Sequence, residues 1–306
     1  MGVIMTAVIE QAAGERFVAY NADCVEVASA LPDNSIGFSV YSPPFAHLFV
    51  YSDSERDMGN VRDEAEFKAL YGHLVREKYR ITKPGRLTAV HCSDLPRTKS
   101  MHGVVGLYDF PADIREVHEA AGWTFHSRIT VWKDPVVEMQ RTKALGLLYK
   151  QIQTDATRSR QGMADYVMVF RKTPNDEAAD TDRVGHDARY FPVDQWQRWA
   201  SPVWMDINQT NVLNVKLARE EKDERHLCPL QLDLIERAIR LWSNPGDTVL
   251  SPFLGIGSEG VMALRAGRRF IGSELKASYF KQAVRNLMEA EAESAAPSLL
   301  SLAGAA

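Results

Sequence analysis

Cysteine is scarce: the chain has three in 306 residues, and Cys24, Cys92 and Cys228 lie far apart with no CxxC pair. This spacing argues against a disulfide scaffold or a cysteine zinc site and suits a reducing, cytoplasmic setting. The eight histidines are scattered, with no HExxH pattern, so no metal is expected. No run of apolar residues approaches the roughly 18 needed for a membrane span. Met1 to Ala13 has no positive segment ahead of an apolar core, which argues against a secretory signal. No internal repeat is present. Positive charge is not in excess either, since the net charge is −4. A protein that coats nucleic acid nonspecifically would carry the opposite balance.

What remains is an ordinary globular composition, 45% hydrophobic and 25% charged. It suffices for one large α/β domain with an inserted module. One stretch departs from the overall charge. Between Met139 and Lys172 stand Arg141, Lys143, Lys150, Arg158, Arg160, Arg171 and Lys172, opposed only by Asp155 and Asp165, a local balance of 7 − 2 = +5. Such a stretch can be a solvated surface or one that meets phosphates.

Residues 16–30 read as a strand then a helix, with Asp23 at the junction. Ser35 to Tyr41 is β-rich and runs into Ser42-Pro43-Pro44-Phe45, which places Ser42 at the C-terminal end of a strand. Glu64 to Ile81 is helical, and Lys83-Pro84-Gly85 stops it. Arg86 to Cys92 is the next strand, Ile114 to Ala121 a helix, and Phe125 to Trp132 a strand. From 134 to 225 regularity weakens. Strand-like pieces (Tyr166 to Phe170, Val212 to Leu217) are separated by polar stretches, which suggests an insertion specialised for recognition rather than more sheet. Regularity returns with a helix over Leu230 to Trp242 and a buried strand over Asp247 to Leu250. A helix over Ser258 to Ala266, a strand over Arg269 to Gly272 and a helix from Ala277 to Ala290 follow.

Between the last two strands lies Ser251-Pro252-Phe253-Leu254-Gly255-Ile256-Gly257-Ser258-Glu259-Gly260. Glycines there let the backbone turn tightly and approach a cofactor, and the next helix offers free N–H groups. Glu274, at the end of the following strand, can accept bonds from both hydroxyls of a ribose. The turn alone does not separate NAD from S-adenosyl-L-methionine. A dinucleotide fold normally opens with its Gly-rich turn, however, whereas this one follows residue 250. The Ser-Pro-Pro-Phe turn suggests the chemistry. The exocyclic amine of a nucleobase is a poor nucleophile because its lone pair is delocalised. Acceptors for both amino protons, here the Ser42 oxygen and the Pro43 carbonyl, draw the nitrogen towards a tetrahedral form. Phe45 offers a flat face for a flipped base.

These elements, in this order, resemble the β-class of DNA amino-methyltransferases, in particular solitary enzymes of phages and proteobacteria. In that family a [DNS]-PP-[YF] element comes first. A target-recognition region, a His-Pro-x-Gln-like helix start and an Asp-Pro-Phe-x-Gly-x-Gly loop follow. The corresponding segments here are Ser42–Phe45, about 134–225, His226-Leu227-Cys228-Pro229-Leu230-Gln231 and Ser251–Gly257. The resemblance implies a Rossmann-like sheet with helices on both faces. Its catalytic half would be 14–133, its recognition region 134–225 and its cofactor half 226–294, with a tail at 295–306. It implies S-adenosyl-L-methionine held by Asp23, His226, Pro229, Gln231, Ser251, Pro252, Phe253, Gly255, Gly257 and Glu274, and catalysis at Ser42, Pro43, Pro44 and Phe45. It also implies a short site on double-stranded DNA, met by Arg141, Lys143, Arg158 and Arg160. Two positions depart from the pattern. Ser251 replaces the Asp that would meet the cofactor's amino group, so another acid, such as Asp23 or Asp94, is expected to supply the charge. Glu274 replaces the commoner Asp at the ribose.

Cys228 precedes a proline rather than following one, so a cytosine-C5 mechanism is not expected, and His47 reads as a loop residue. Adenine N6 is the expected target. Cytosine N4, whose enzymes more often carry Ser in the first catalytic position, is the alternative. RNA or protein-amide methylation and an inactive binding module stay open. A homodimer would set two active sites on a palindromic target, but no motif decides it.

Overall fold

The computed structural model describes residues 8–45, 58–97, 99–142, 147–174, 182–214 and 229–295. Its strands are β1 (Glu10–Ala13), β2 (Phe17–Asn21), β3 (Ile36–Tyr41), β4 (Thr82–Ser93), β5 (Leu95–Arg97), β6 (Gly106–Tyr108), β7 (Thr124–Val131), β8 (Asp165–Arg171), β9 (Val203–Trp204), β10 (Thr248–Ser251) and β11 (Arg269–Ser273). Its helices are α1 (Cys24–Ala30), α2 (Glu64–Ile81), α3 (Lys99–His102), α4 (Phe110–Ala120), α5 (Pro135–Thr142), α6 (Tyr149–Thr154), α7 (Val193–Trp199), α8 (Leu232–Trp242), α9 (Ser258–Arg265) and α10 (Ala277–Ala295).

Among the described residues the main sheet runs β1-β2-β11-β10-β3-β4-β8-β7-β9, and β5 and β6 form a separate ribbon. The centre, from β2 to β4, is parallel, while β8 is antiparallel to both β4 and β7. A parallel strand covered on both faces needs apolar residues throughout. β3 fits, with all six of its residues buried. Phe38, Val40, Leu234, Ile235, Val261, Phe280 and Leu287 pack α8, α9 and α10 on one face. Ile36, Tyr41, Phe67, Leu74, Ile114 and Val117 pack α2 and α4 on the other. The two halves of the chain thus share one sheet, because β10 and β11 from the C-terminal part insert between β2 and β3.

Several expectations are corrected. Tyr166–Phe170 belongs to a central strand, not to an insertion: β8 pairs along its length with both β4 and β7. Its Val167, Met168, Val169 and Phe170 are buried, and the polar stretches on either side masked this core strand in the sequence. The segment around α7 also packs onto the body. Arg237, buried on α8, donates to both oxygens of Asp206 at 2.9 and 3.0 Å and lies over the Trp199 and Trp204 rings. Val212 to Asn214 form no strand, and residues 215–217 lie outside the described residues. Lys83-Pro84-Gly85 does end α2, but the chain continues directly into β4. β1 was not anticipated.

Beneath β3 lies a buried lysine. Lys78 Nζ donates to Tyr41 Oη at 2.7 Å and to Thr88 Oγ1 at 2.8 Å, and Tyr41 Oη meets Tyr71 Oη at 2.6 Å. Burial pushes the Lys78 ammonium well below the usual lysine range. The native protein therefore binds this proton less tightly than the unfolded chain does. The penalty is present at neutral pH and fades as pH rises towards the unfolded value of 10.5. Replacing Lys78 with Met should remove this component. In thermal melts, wild type should gain stability relative to Lys78→Met as pH rises from neutral towards 10.5. A constant difference between the two proteins would contradict the assignment.

Candidate active site and cofactor cleft

β10 is followed by α9 and then β11 on one side, whereas β3 is followed by α2 and then β4 on the other. The sheet order reverses between them, and such a switch point opens a crevice at the C-terminal strand ends. Val249 pairs with Phe38 and Leu250 with Ser39. That register carries Ser251-Pro252-Phe253 out beside Tyr41 and Ser42. The Phe253 and Tyr41 rings meet at 5.7 Å.

The Gly-rich loop is bonded at many points. Gly255 and Gly257 take φ of +54° and +94°, conformations open to glycine. A Cβ on Gly257 would press on Ala283 at 3.3 Å, while one on Gly255 would meet nothing within 4 Å. Gly255 N donates to Glu274 Oε2 at 2.8 Å and Lys276 N donates to Glu274 Oε1 at 2.9 Å, so the loop and the end of β11 hold this carboxylate from both sides. Ser273 Oγ donates to the Pro252 carbonyl at 2.9 Å, and Asn286 Nδ2 to that of Ile256 at 2.8 Å.

Ser251 is fully buried, and its hydroxyl has no hydrogen-bond partner among the described residues. The same is true of Gln231 Oε1, at the start of α8. Pro229 is half-buried beside it. A buried polar atom without a partner costs about 1–3 kcal/mol, so these two suit a ligand that can donate to them. Two buried unpaired acceptors, a fixed carboxylate and open space at Gly255 fit S-adenosyl-L-methionine. His226 lies outside the described residues. Asp23, by contrast, caps α1, accepting from Val25 N at 2.7 Å and Glu26 N at 3.2 Å. Asp94 has Asp109 and Arg128 as its charged neighbours, not the cofactor loop. The acid that the loop does contain is Glu259, in the first turn of α9 and only 5% exposed. Burial pushes its carboxyl up to about 8, and the charge of Glu274 adds to the effect.

Across the crevice, Pro43 is buried, and Ser42, Pro44 and Phe45 are half-buried. The Phe45 ring sits 6.0 Å from Phe110. Tyr41 pairs with Val90, which brings Ser42 alongside His91. Ser42 Oγ lies 3.2 Å from the His91 carbonyl and 3.3 Å from His91 Nδ1. On the other side of the ring, Nε2 is 3.1 Å from Asp165 Oδ2, and Asp165 Oδ1 accepts from Lys133 Nζ. Burial alone would raise the Asp165 carboxyl, but the His91 charge and hydrogen bond, and then Lys133, hold it down to about 2. This Ser-His-Asp-Lys chain was missed in the sequence. Its one signal was polar residues inside apolar strands, His91 in LTAVHC and Asp165 opening YVMVF.

The expected DNA contacts are not gathered at this site. Arg158 is exposed and pairs with Asp155 at 3.3 Å. Arg160 donates to the Gln161 carbonyl at 3.0 Å and approaches the buried Glu138 at 4.0 Å. Lys143, the Arg141 side chain and His47 lie outside the described residues, as do Cys228 and 296–306. Among the described residues no cluster could hold a metal, and no helix is long and apolar enough to cross a membrane.

Comparison with known proteins agrees with this geometry. A family model described as DNA methylase, of the N6/N4 methyltransferases, matches residues 36–285. The DNA adenine methyltransferase YhdJ of Escherichia coli K12 is 31% identical over 169 residues, 54% of this chain and 53% of that protein, so the match spans about half of each. A candidate DNA modification methylase of Thermus thermophilus, solved with S-adenosyl-L-methionine, superposes with a TM-score of 0.65 at 21% identity, covering 88% of this chain and 91% of the other. The cytosine-N4-specific PvuII DNA methyltransferase superposes with a TM-score of 0.63 at 17% identity over 94% and 96%. With its sheet, its Gly-rich cofactor loop and its Ser-Pro-Pro-Phe turn in one crevice, the chain belongs to the N6-adenine/N4-cytosine DNA methylase family, whose enzymes depend on S-adenosyl-L-methionine.

Proposed function

We propose that the protein methylates the exocyclic amino group of a base flipped out of a short specific site on double-stranded DNA, and that the base is adenine, modified at N6. The observation that carries this reading is Ser42, held by His91 and Asp165 beside the cofactor loop. The likeness to an adenine methyltransferase at 31% identity favours adenine over cytosine N4.

When bound, S-adenosyl-L-methionine supplies the methyl group. Glu274, fixed by the Gly255 and Lys276 amides, accepts from the ribose hydroxyls, and Phe253 and the Gly255–Gly257 turn shape the wall of the cleft. Glu259 takes the part of the acid missing at Ser251, and its carboxylate faces the methionine ammonium. Across the cleft, Phe45 stacks on the flipped base. The Pro43 carbonyl and Ser42 Oγ accept from the two amino protons. His91 matters because a hydroxyl that donates its own proton elsewhere leaves its lone pairs for the substrate. Nε2 lies 3.1 Å from Asp165 Oδ2, and with the ring proton on Nε2 the Nδ1 atom can accept from the Ser42 hydroxyl. Methyl transfer leaves a cationic nitrogen that must lose a proton, and Ser42, His91 and Asp165 offer a path for it.

Three outcomes follow. Methyl transfer from labelled S-adenosyl-L-methionine to unmethylated genomic DNA should yield N6-methyladenine by nucleoside mass spectrometry. It should vanish with Ser42→Ala/Phe45→Ala; N4-methylcytosine would overturn the base, and transfer to RNA or protein alone the substrate. His91→Ala should lower kcat about 100-fold while cofactor affinity by calorimetry stays unchanged; a loss confined to KM would refute the role given to His91. Glu259→Gln should weaken S-adenosyl-L-methionine about tenfold but leave 5′-methylthioadenosine, which lacks the amino-acid group, unaffected. Because the contact needs the carboxylate and the ammonium together, wild-type affinity should rise as pH climbs towards about 8 and fall above it as the ligand's α-amino group deprotonates, and the variant should lose the rise. Equal weakening of both ligands would rule out the ammonium contact.

A further inference from the structure

Two residues beyond the end of β4 the chain leaves the sheet as the β5–β6 ribbon. Leu95 pairs with Tyr108, Pro96 with Leu107 and Arg97 with Gly106. It emerges from the same edge as Ser42: Leu95 follows His91 by four residues, at most about 13 Å of extended chain. The ribbon is anchored at its base. Leu95 and Phe110 are buried, Tyr108 Oη donates to Asp113, and the Arg97 guanidinium lies 4.9 Å over the Tyr108 ring. Phe110 in turn packs on Phe45, so the foot of the ribbon touches the aromatic residue assigned to the target base.

The far end has the opposite character. Val104 is 57% exposed, Val105 82% and Leu107 44%, beside Gly103 at φ +74° and Gly106. Isolated exposed apolar residues are common on protein surfaces, but here Val104 and Val105 stand side by side beyond the paired residues of a two-stranded projection, with Leu107 on its strand. From Leu95 to Tyr108 there is no acid, while Arg97, Lys99 and His102 are present. The flanking acids lie at its foot: Asp94 precedes Leu95, and Asp109 caps α4. An apolar tip on a positive, acid-free stem complements a stacked duplex with a phosphate exterior.

We propose that the Leu95–Tyr108 ribbon is a wedge, with Val104 and Val105 entering the base stack and filling the space left by the flipped base, and Lys99 facing the phosphates. The inference rests on the DNA-methylation reading above. A base leaving a duplex must break its pair and its stacking. Side chains that occupy the gap oppose its return, and the Phe110–Phe45 contact places the wedge next to the pocket that receives the base.

The test is the exposed double variant Val104→Ser/Val105→Ser. Methyl transfer is measured on two duplexes carrying the site mapped from methylated genomic DNA. One is fully paired, and the other has an abasic position opposite the target base. The variant should lose at least about tenfold on the paired duplex and less than about twofold on the other, where the base is already unpaired. Retained activity on the abasic duplex also shows that the variant folds. No loss on the paired duplex, or equal losses on both, would overturn the wedge. A wild type that transfers no methyl group to either DNA would instead overturn the functional reading, and the wedge with it.

Discussion

The pairing of β3 with β10 is the constraint on which the site depends. These strands lie far apart in sequence, and each ends in one half of the chemistry, β3 in the Ser-Pro-Pro-Phe turn and β10 in the Gly-rich loop. Both ends of the pairing are reinforced. At the far end Arg86, 1% exposed, donates to Asp247 ahead of β10 and, at 2.9 Å, to the Gly37 carbonyl on β3. A Cβ at Gly37 would strike Asp247 at 2.7 Å, so glycine is required there. At the near end Tyr41 packs on Phe253. A shift of one residue would turn every side chain of β3 to the opposite face and dismantle both contacts.

The buried ionisable groups cluster around this pairing. Lys78 is pushed towards its neutral form below Tyr41, Asp165 is held ionised beside His91, and Glu259 is held back from ionising at the cofactor loop. Each would be costly in an apolar core. Lys78 braces the strand that presents Ser42, Asp165 orients the ring that Ser42 leans on, and Glu259 holds a latent charge that a cation can draw out. Perturbed groups of this kind concentrate where chemistry is done.

What could be read from the sequence divides along a physical line. The Gly255–Gly257 turn, the Pro43-Pro44 turn and the acid at 274 were legible because each is a local demand of backbone geometry or strand ending. The partners of Ser42 were not, because His91 arrives through parallel pairing with β4, and Asp165 and Lys133 through the antiparallel return of β8 and β7. Such long-range pairings leave no spacing in the chain. Asp23 was read for its charge alone, whereas its Oδ1 caps α1, because the side chains that suit a ligand also suit a helix cap. The basic stretch around 139–172 was overread as one surface, since part of it is the core strand β8.

The Glu291 carboxylate on α10 accepts from the Glu15 and Arg16 amides at 3.1 and 2.7 Å, which pins the turn between β1 and β2 against the last helix. The start of β2 and the C-terminal part of α10 are thus neighbours. A chain running from the end of α10 into the start of β2, and opened at a surface loop between the two motifs, would give up the β1–β2 pairing but keep both halves of the crevice, with the Gly-rich loop now ahead of the Ser-Pro-Pro-Phe turn. Motif order along the chain is therefore a record of where this protein is cut, and the chemistry is indifferent to it.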